Sequence, residues 1–230
     1  MRVHFLTLFP DVIESVLNSS LLGKAQEVGH IEFHVVDIRD FAEDKHHTVD
    51  EPQFGGGPGM VLKVDVLYRA WKSIVDQCAA SPEAKRPHTL YLSPQGKLLS
   101  QANSKEWLSH SDLILVSGHY EGIDERFIEL CVDQEVSIGD YVLTGGELPA
   151  LVLVDVLARQ IPGVLGNQES LVQDSLWGST TLKAPVYTRP REFMGKTVPD
   201  VLLSGNHEAI RSWREEQGRV VTQKKRPDLA

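Results

Sequence analysis

Residues Asp112–Ser117 read DLILVS, an apolar run with no alternation of polar positions. A strand of that kind needs cover on both of its faces, and a parallel sheet between helical layers provides it. The surrounding chain has the matching texture. Val3–Phe9, Ile31–Ile38, His88–Leu92 and Val132–Ile138 read as further strands, with Ser93–Gly96 as a turn after the third. Asp11 suits a helix N-cap ahead of Val12, Ile13, Val16 and Leu17, which share one helical face. Val64–Val75 has helical spacing through Leu67, Tyr68 and Trp71. Asn103–Leu108 and Glu125–Leu130 are short helical stretches, and Leu148–Gln160 is an apolar helix stopped by Ile161-Pro162-Gly163. Strand and helix alternate throughout. That order predicts an α/β fold, a parallel sheet with helices on both faces.

The texture changes after Gln160. Pro162–Leu182 is rich in Gly, Ser, Asn, Gln and Thr and has little periodicity. The expected organisation is therefore a sheet domain over 1–161, a flexible interdomain linker over 162–182, and a small helical domain over 183–230. Glu208–Gln217 supplies the helical pattern of the last part. Net charge is -9, which argues against a polyanion partner for the whole surface. Its distribution is uneven: residues 183–230 carry ten Lys/Arg against six Asp/Glu, and the rest of the chain carries the excess of acid. A basic tail on an acidic body suits a local nucleic-acid footprint, and equally an ordinary solvated surface. No apolar run is long enough to span a bilayer. The first residues lack the pattern of an export signal, and Cys78 and Cys131 have no CxxC spacing, so the expected setting is the cytoplasm with both thiols reduced.

Three glycine-containing segments follow expected strands: Leu92–Gly96, Ser117–Gly122 and Ser137–Pro149. In an open parallel sheet, ligands bind beyond the carboxyl ends of the strands, so the three loops are candidates for one pocket. Turn chemistry alone would account for them as well. Neither GxGxxG nor GxxxxGK[ST] occurs, and Ser117–Asp124 and Ser137–Pro149 contain no Lys or Arg. A phosphate-bearing cofactor is disfavoured. A cofactor with a positive centre suits these acidic loops, with Glu121, Asp140 and Glu147 as the negative field. His46 and His47 lie near Asp44 and Asp50, but adjacent loop histidines rarely share an ion and no HExxH is present, so no protein-held transition metal is expected.

Seven segments in order then carry a family resemblance: GGGPGM at Gly55–Met60, YLSPQG at Tyr91–Gly96, GHYEGIDER at Gly118–Arg126, SIGDYVLTGGELPA at Ser137–Ala150, IPGVLG at Ile161–Gly166, YTRP at Tyr187–Pro190 and VLLSGNH at Val201–His207. Together they resemble the TrmD type of bacterial tRNA (guanine-N1)-methyltransferase. The resemblance implies a SPOUT fold whose catalytic domain ends in a trefoil knot, an obligate homodimer, and no membrane partner. It implies methyl transfer from S-adenosyl-L-methionine to N1 of guanosine 37 in a tRNA whose position 36 is also guanosine, with Mg2+ held by substrate and carboxylates together.

By motif, the cofactor would be held by Tyr91, Leu92, Ser93, Pro94 and Gln95; by Gly118, Tyr120, Glu121 and Gly122; and by Ser137, Ile138, Gly139, Asp140, Tyr141, Val142, Leu143, Gly145 and Gly146, with Pro149 closing the last loop. The implied catalytic pair is Asp174 and Arg159. N1 of guanine carries a proton and is a poor nucleophile until a carboxylate removes it, and a guanidinium stabilises charge developing toward O6. Without the resemblance, Asp174 reads as a turn residue and Arg159 as a complement to a helix dipole. Substrate contacts would come from Asp50, Gly55, Gly56, Gly57, Pro58 and Gly59 around the target base, and from Lys183, Arg189, Arg191, Arg211 and Arg214 on phosphates. Trp213 reads as core rather than as a base-stacking surface. Two departures stand out: His119 where the family often has Arg, which removes a fixed charge beside the cofactor loops, and Trp177–Pro185, which does not follow the expected pattern.

Overall fold

The computed structural model describes residues 1–79, 85–166 and 174–229 of the 230-residue chain. The chain divides into two compact units, Met1–Gly166 and Asn167–Ala230. Of the segment 162–182 expected as a linker, residues 167–173 lie outside the described residues.

The first unit runs β1 (Arg2–Thr7), α1 (Pro10–Leu17), α2 (Ser20–Glu27), β2 (Glu32–Asp37), β3 (Asp50–Pro52), β4 (Met60–Leu62), α3 (Val64–Cys78), β5 (His88–Leu98), β6 (Asp112–Ser117), α4 (Glu125–Cys131), β7 (Gln134–Ser137) and α5 (Glu147–Ala158). Five strands form one sheet in the order β2-β1-β6-β5-β7, and every pairing in it is parallel. The run DLILVS is β6, at the centre. Leu113, Ile114 and Leu115 are all 0% exposed, which confirms that neither face of this strand meets water.

Side chains alternate across the sheet and fill two cores. Val3, Phe5, Leu113 and Leu115 pack with Ile13 and Leu17 of α1, Leu22 of α2, Trp107, and Leu153 and Leu157 of α5. Leu6, Ile114, Val116 and Tyr91 pack on the other side with Leu67, Trp71 and Ile74 of α3 and Phe127 of α4. Fully burying side chains of this size stabilises by about 1.5–3 kcal/mol each, so the two cores outweigh any local propensity.

Three local expectations change. Helix α1 begins at Pro10, with Phe9 at the N-cap and Asp11 in the first turn. Proline at N1 has its φ already set for a helix, so the helix starts ahead of Asp11, whose charge then favours the positive end of the dipole. The turn expected at Ser93–Gly96 lies inside β5, which continues to Leu98 with its register on β7 shifted between Leu92 and Lys97. Gly96 allows this: a Cβ there would stand 2.3 Å from the backbone nitrogen of Val136. Helix α2 and the antiparallel pair β3–β4 carry no clear periodic signal in the sequence and were not among the expected elements.

The second unit contains a two-residue hairpin, β8 (Glu192–Phe193) and β9 (Lys196–Thr197), and a long helix α6 (His207–Lys225). The Asn206 side chain caps α6, accepting from the backbone of Glu208 and Ala209 at 3.1 Å each. A hydrogen bond ties the far part of the helix to the preceding segment. Leu182 donates its backbone N–H to Thr222 Oγ1 at 2.8 Å, beside Gly218, where a Cβ would stand 2.8 Å from the Leu182 carbonyl oxygen.

Candidate active site

The loops after β6 and β7 meet the early part of β5 beyond the carboxyl edge of the sheet. They enclose an open cleft of about 400 Å³. Tyr91–Gln95, Gly118, Tyr120, Glu121, Gly122, Ser137–Gly139, Tyr141–Leu143, Gly145, Gly146 and Pro149 all line it. Of the residues expected around the cofactor, only Asp140 is absent from the lining. It sits exposed at the apex of a turn closed by the Tyr141 N–H to the Gly139 carbonyl at 3.0 Å, which leaves the lining to its two neighbours.

The lining contains Glu121, Glu125 and Glu135 and no lysine or arginine. Tyr91 stands against Gly118, where a Cβ would meet the phenol oxygen at 2.9 Å. Burial, helped by the charges of Glu135 and Glu125, pushes the Tyr91 phenol up to about 12, so it stays protonated at neutral pH.

Glu147 does not line the cleft. It is 5% exposed, and both carboxylate oxygens are engaged. Thr7 Oγ1 donates to Oε1 at 2.6 Å, and His119 Nε2 lies 2.7 Å from Oε2. The hydroxyl of Thr7 accepts in turn from the Phe9 N–H at 2.9 Å. His119 also packs on the Phe9 ring, with centroids 4.7 Å apart, and lines the cleft. The two loops are joined by backbone as well, through Gly146 N–H to the Gly118 carbonyl at 2.9 Å and a bridge between His119 and Gly145.

The pair β3–β4 is stitched to the same place. Glu121 N–H donates to the Met60 carbonyl and Leu62 N–H to the Gly122 carbonyl, both at 3.0 Å. Gln53 and Val61 thereby enter the lining. The glycine-rich turn Gly55–Gly59 with Pro58 is exposed and stands outside it, although a Cβ on Gly59 would meet Glu121 Cγ at 2.4 Å. Asp50 opens β3 and pairs with Leu62 across the hairpin. Sequence reasoning missed Gln53, Val61 and Glu135 as lining residues. For Gln53 and Val61 the available signal is the glycine-proline turn at Gly55–Gly59, which marks a hairpin; Glu135, in β7, has none.

Arg159 is half-buried at the C-cap of α5, and its N–H reaches the Asp155 carbonyl at 3.3 Å. In the second unit, Asp174 accepts from Lys183 Nζ at 3.2 Å, and the Lys183 N–H donates to Ser175 Oγ at 2.9 Å. Leu176 N–H to the Thr181 carbonyl at 3.1 Å closes the same loop. Arg189, Arg191 and Arg214 line a separate cavity of about 450 Å³ with Tyr187, Leu202 and Ile210. Arg211 is exposed on α6 and outside that lining. Trp213 is half-buried, 6.4 Å from the Tyr187 ring.

The family model described as tRNA (Guanine-1)-methyltransferase TrmD matches residues 1–230. The chain belongs to the TrmD family. Relatives named tRNA (guanine-N(1)-)-methyltransferase include those of Clostridioides difficile, 47% identical over 229 residues, covering 100% of this chain and 97% of the relative; of Moorella thermoacetica, 48% over 229 residues, covering 100% and 90%; and of Syntrophomonas wolfei, 49% over 231 residues, covering 100% and 90%. Among the described residues, one group brings three potential metal ligands together: His4, Cys78 and Asp112, at the opposite edge of the sheet from the cleft. The cleft of this TrmD-family chain therefore offers no such cluster of three metal-ligating side chains among the described residues. No described helix is long and apolar enough to cross a membrane.

Proposed function

We propose that this protein transfers a methyl group from S-adenosylmethionine to N1 of guanosine 37 in tRNA, next to a guanosine at position 36. One observation carries the reading: in a TrmD-family chain, the expected loops converge on a single acidic cleft free of lysine and arginine. S-adenosylmethionine, when bound, supplies an electrophilic methyl on a positively charged sulfur, and Glu121, Glu125 and Glu135 give the cleft the complementary sign. Glycines at 118, 145 and 146 let the loops pack directly against Tyr91, His119 and Ser117, which gives the cleft its walls.

Asp174 acts as general base, taking the N1 proton as that nitrogen becomes the nucleophile. Arg159 directs its guanidinium to the charge that develops on O6. The Lys183 ammonium beside Asp174 must move or share its partner when the base engages the guanine. Arg189, Arg191 and Arg214, around their own cavity, suit phosphate contacts, as do Lys183 and Arg211. Asp50 and the Gly55–Gly59 turn, beside the cleft, suit the target base. The working form is a homodimer in the cytoplasm. Exposed apolar side chains in the first unit support the dimer: Phe9, Val12 and Val16 near α1, and Leu148 and Val152 on α5. We assign the loops after β6 and β7 to the SPOUT knot, with 1–161 as catalytic domain, 162–182 as linker and 183–230 as RNA-binding domain.

The test is incorporation of labelled methyl into a transcript with guanosines at 36 and 37, with the product nucleoside mapped by mass spectrometry. Asp174→Asn lowers turnover by about 10²–10⁴ while sparing donor binding. Methyl found elsewhere than N1 of residue 37, or Asp174→Asn at the wild-type rate, overturns the reading or the base respectively.

A further inference from the structure

We infer that His119, Glu147 and Thr7 form a clasp that sets the shape of the cleft, and that His119 is a positioning residue for the methyl donor. The inference rests on the reading of the cleft as the donor site. The starting point is Glu147, a carboxyl group 5% exposed at the first residue of α5. A buried carboxylate is tolerated when its lone pairs are used, and here each oxygen has one strong partner. The direction of each hydrogen bond follows along the chain of donors. The Phe9 N–H occupies Thr7 Oγ1, so the Thr7 hydroxyl proton is left for Glu147 Oε1. Oε2 then takes the Nε2 proton of His119 at 2.7 Å, which places that proton on Nε2.

The three side chains come from three segments: the end of β1, the loop after β6 and the start of α5. Backbone hydrogen bonds join the last two, through Gly118 with Gly146 and His119 with Gly145, and β1 pairs with β6 as far as Leu6 and Val116. The side-chain clasp carries the connection past the end of that ladder, from Thr7 to α5 and the His119 loop. It has no slack. A Cβ on Gly145 would lie 2.1 Å from His119 Nε2 and 2.5 Å from Glu147 Oε2, so the pair fills the space any side chain at 145 would need. On its outer side His119 lines the cleft between Gly118 and Tyr120. A ligand in the cleft thus meets a wall whose position is fixed by a buried charge behind it. Loss of the His119 donor frees the loop and leaves Glu147 half-satisfied.

Isothermal titration with S-adenosylmethionine and its demethylated thioether product, beside separate tRNA-binding and initial-rate measurements, tests the clasp. His119→Ala weakens donor binding at least tenfold. kcat at saturating donor falls by less than affinity does, and tRNA affinity is unchanged. His119→Gln, which keeps an N–H donor near the Nε2 position, restores affinity to within about threefold of wild type. Glu147→Gln weakens donor binding like His119→Ala, and the double variant His119→Ala/Glu147→Gln is no weaker than the worse single. Unfolding midpoints accompany each variant, and His119→Gln keeps the test open should Glu147→Gln fold poorly. The clasp is overturned by wild-type donor affinity in His119→Ala, by equal losses in the Ala and Gln variants, or by additive losses in the double variant. Wild-type protein that binds no S-adenosylmethionine would instead remove the reading of the cleft itself.

Discussion

Strands β1 and β6 each end in a cluster of buried polar groups, and the two clusters solve the same problem in opposite ways. At the amino edge, Arg2 Nε meets Asp112 Oδ1 at 2.5 Å, Ser111 donates to Oδ2 at 2.7 Å, and His4 Nε2 and Cys78 Sγ stand 3.6 Å apart beside them. Each group is satisfied by another in the cluster, and His4 stacks on His34 with centroids 4.8 Å apart. At the carboxyl edge, Thr7, Glu147 and His119 also satisfy one another, but they do so while holding loops around open space. Parallel strands bring all their carboxyl-end loops to one side, so the gap falls there. The amino edge is closed by charge pairing, which serves stability; the carboxyl edge is propped open, and in the proposed function that opening takes the methyl donor.

Breaking the closed edge gives the sharpest test of that contrast. Asp112→Ala leaves Arg2, Ser111 and His4 without their common acceptor. Asp112 is 6% exposed in its side chain but Arg2 is 42% exposed, so the guanidinium recovers part of its solvation. The expected loss of stability is about 2–4 kcal/mol, read as a shift in urea midpoint. Donor affinity of the folded variant stays within about twofold of wild type. A tenfold loss of donor affinity would show that the two edges are coupled and the contrast is wrong.

Gly146→Ala is the converse experiment at the open edge. The added Cβ would stand 2.7 Å from Ser117 Cα and 3.0 Å from Gly118 N, both backbone atoms that cannot swing aside. The loops after β6 and β7 must separate. Overpacking of this kind costs about 1–3 kcal/mol, and here it is expressed as a tenfold to hundredfold loss of donor affinity. The urea midpoint moves less than in Asp112→Ala. Titration of the donor into both variants decides the ordering.

The same contrast explains what the sequence made legible. A strand buried on both faces has an unbroken apolar pattern, so β6 could be read from Asp112–Ser117, and the parallel sheet around it from the alternation of strands and helices. The cleft loops carried glycines in motif order, and all the expected cofactor positions but Asp140 line one cavity. The continuation of β5 through Ser93–Gly96 was not legible, because Ser-Pro-Gln-Gly is turn chemistry locally and only pairing with β7 makes it strand. Strands β3 and β4, at three residues each, are too short to show a period. Above all, the Thr7–Glu147 contact joins residues 140 apart and the His119–Glu147 contact residues 28 apart. A carboxylate's partners at such separations leave no local pattern, which is why Glu147 reads as cleft charge in the sequence and as a buried anchor in the structure.

The smallest effect concerns protons at the closed edge. Burial, reinforced by the neighbouring His34, pushes the His4 imidazole down to about 4 from its ordinary 6.5, against the pull of Asp112. Asp112 itself lies below its ordinary value of 3.8: burial alone would raise it, and the hydrogen bonds from Arg2 and Ser111 outweigh that. Burial, with the charge of Asp112, raises the Cys78 thiol, so it is neutral and silent in acid. With a depressed histidine, the unfolded chain binds a proton that the folded chain refuses, so stability is lost as pH falls from 6.5 toward 4 and levels off below. The Asp112 contribution begins to fade only below 3.8, so the two windows separate. At pH 5.5 the histidine contribution is on the order of 1 kcal/mol. His4→Gln should reduce the slope of the stability profile between pH 6.5 and 4, leaving the share of His88, which burial also depresses, and the acid limb below 4 in place, as measured by urea midpoints across that range. Retention of the full slope in His4→Gln would place the titrating group elsewhere and remove proton exclusion from what the closed edge does.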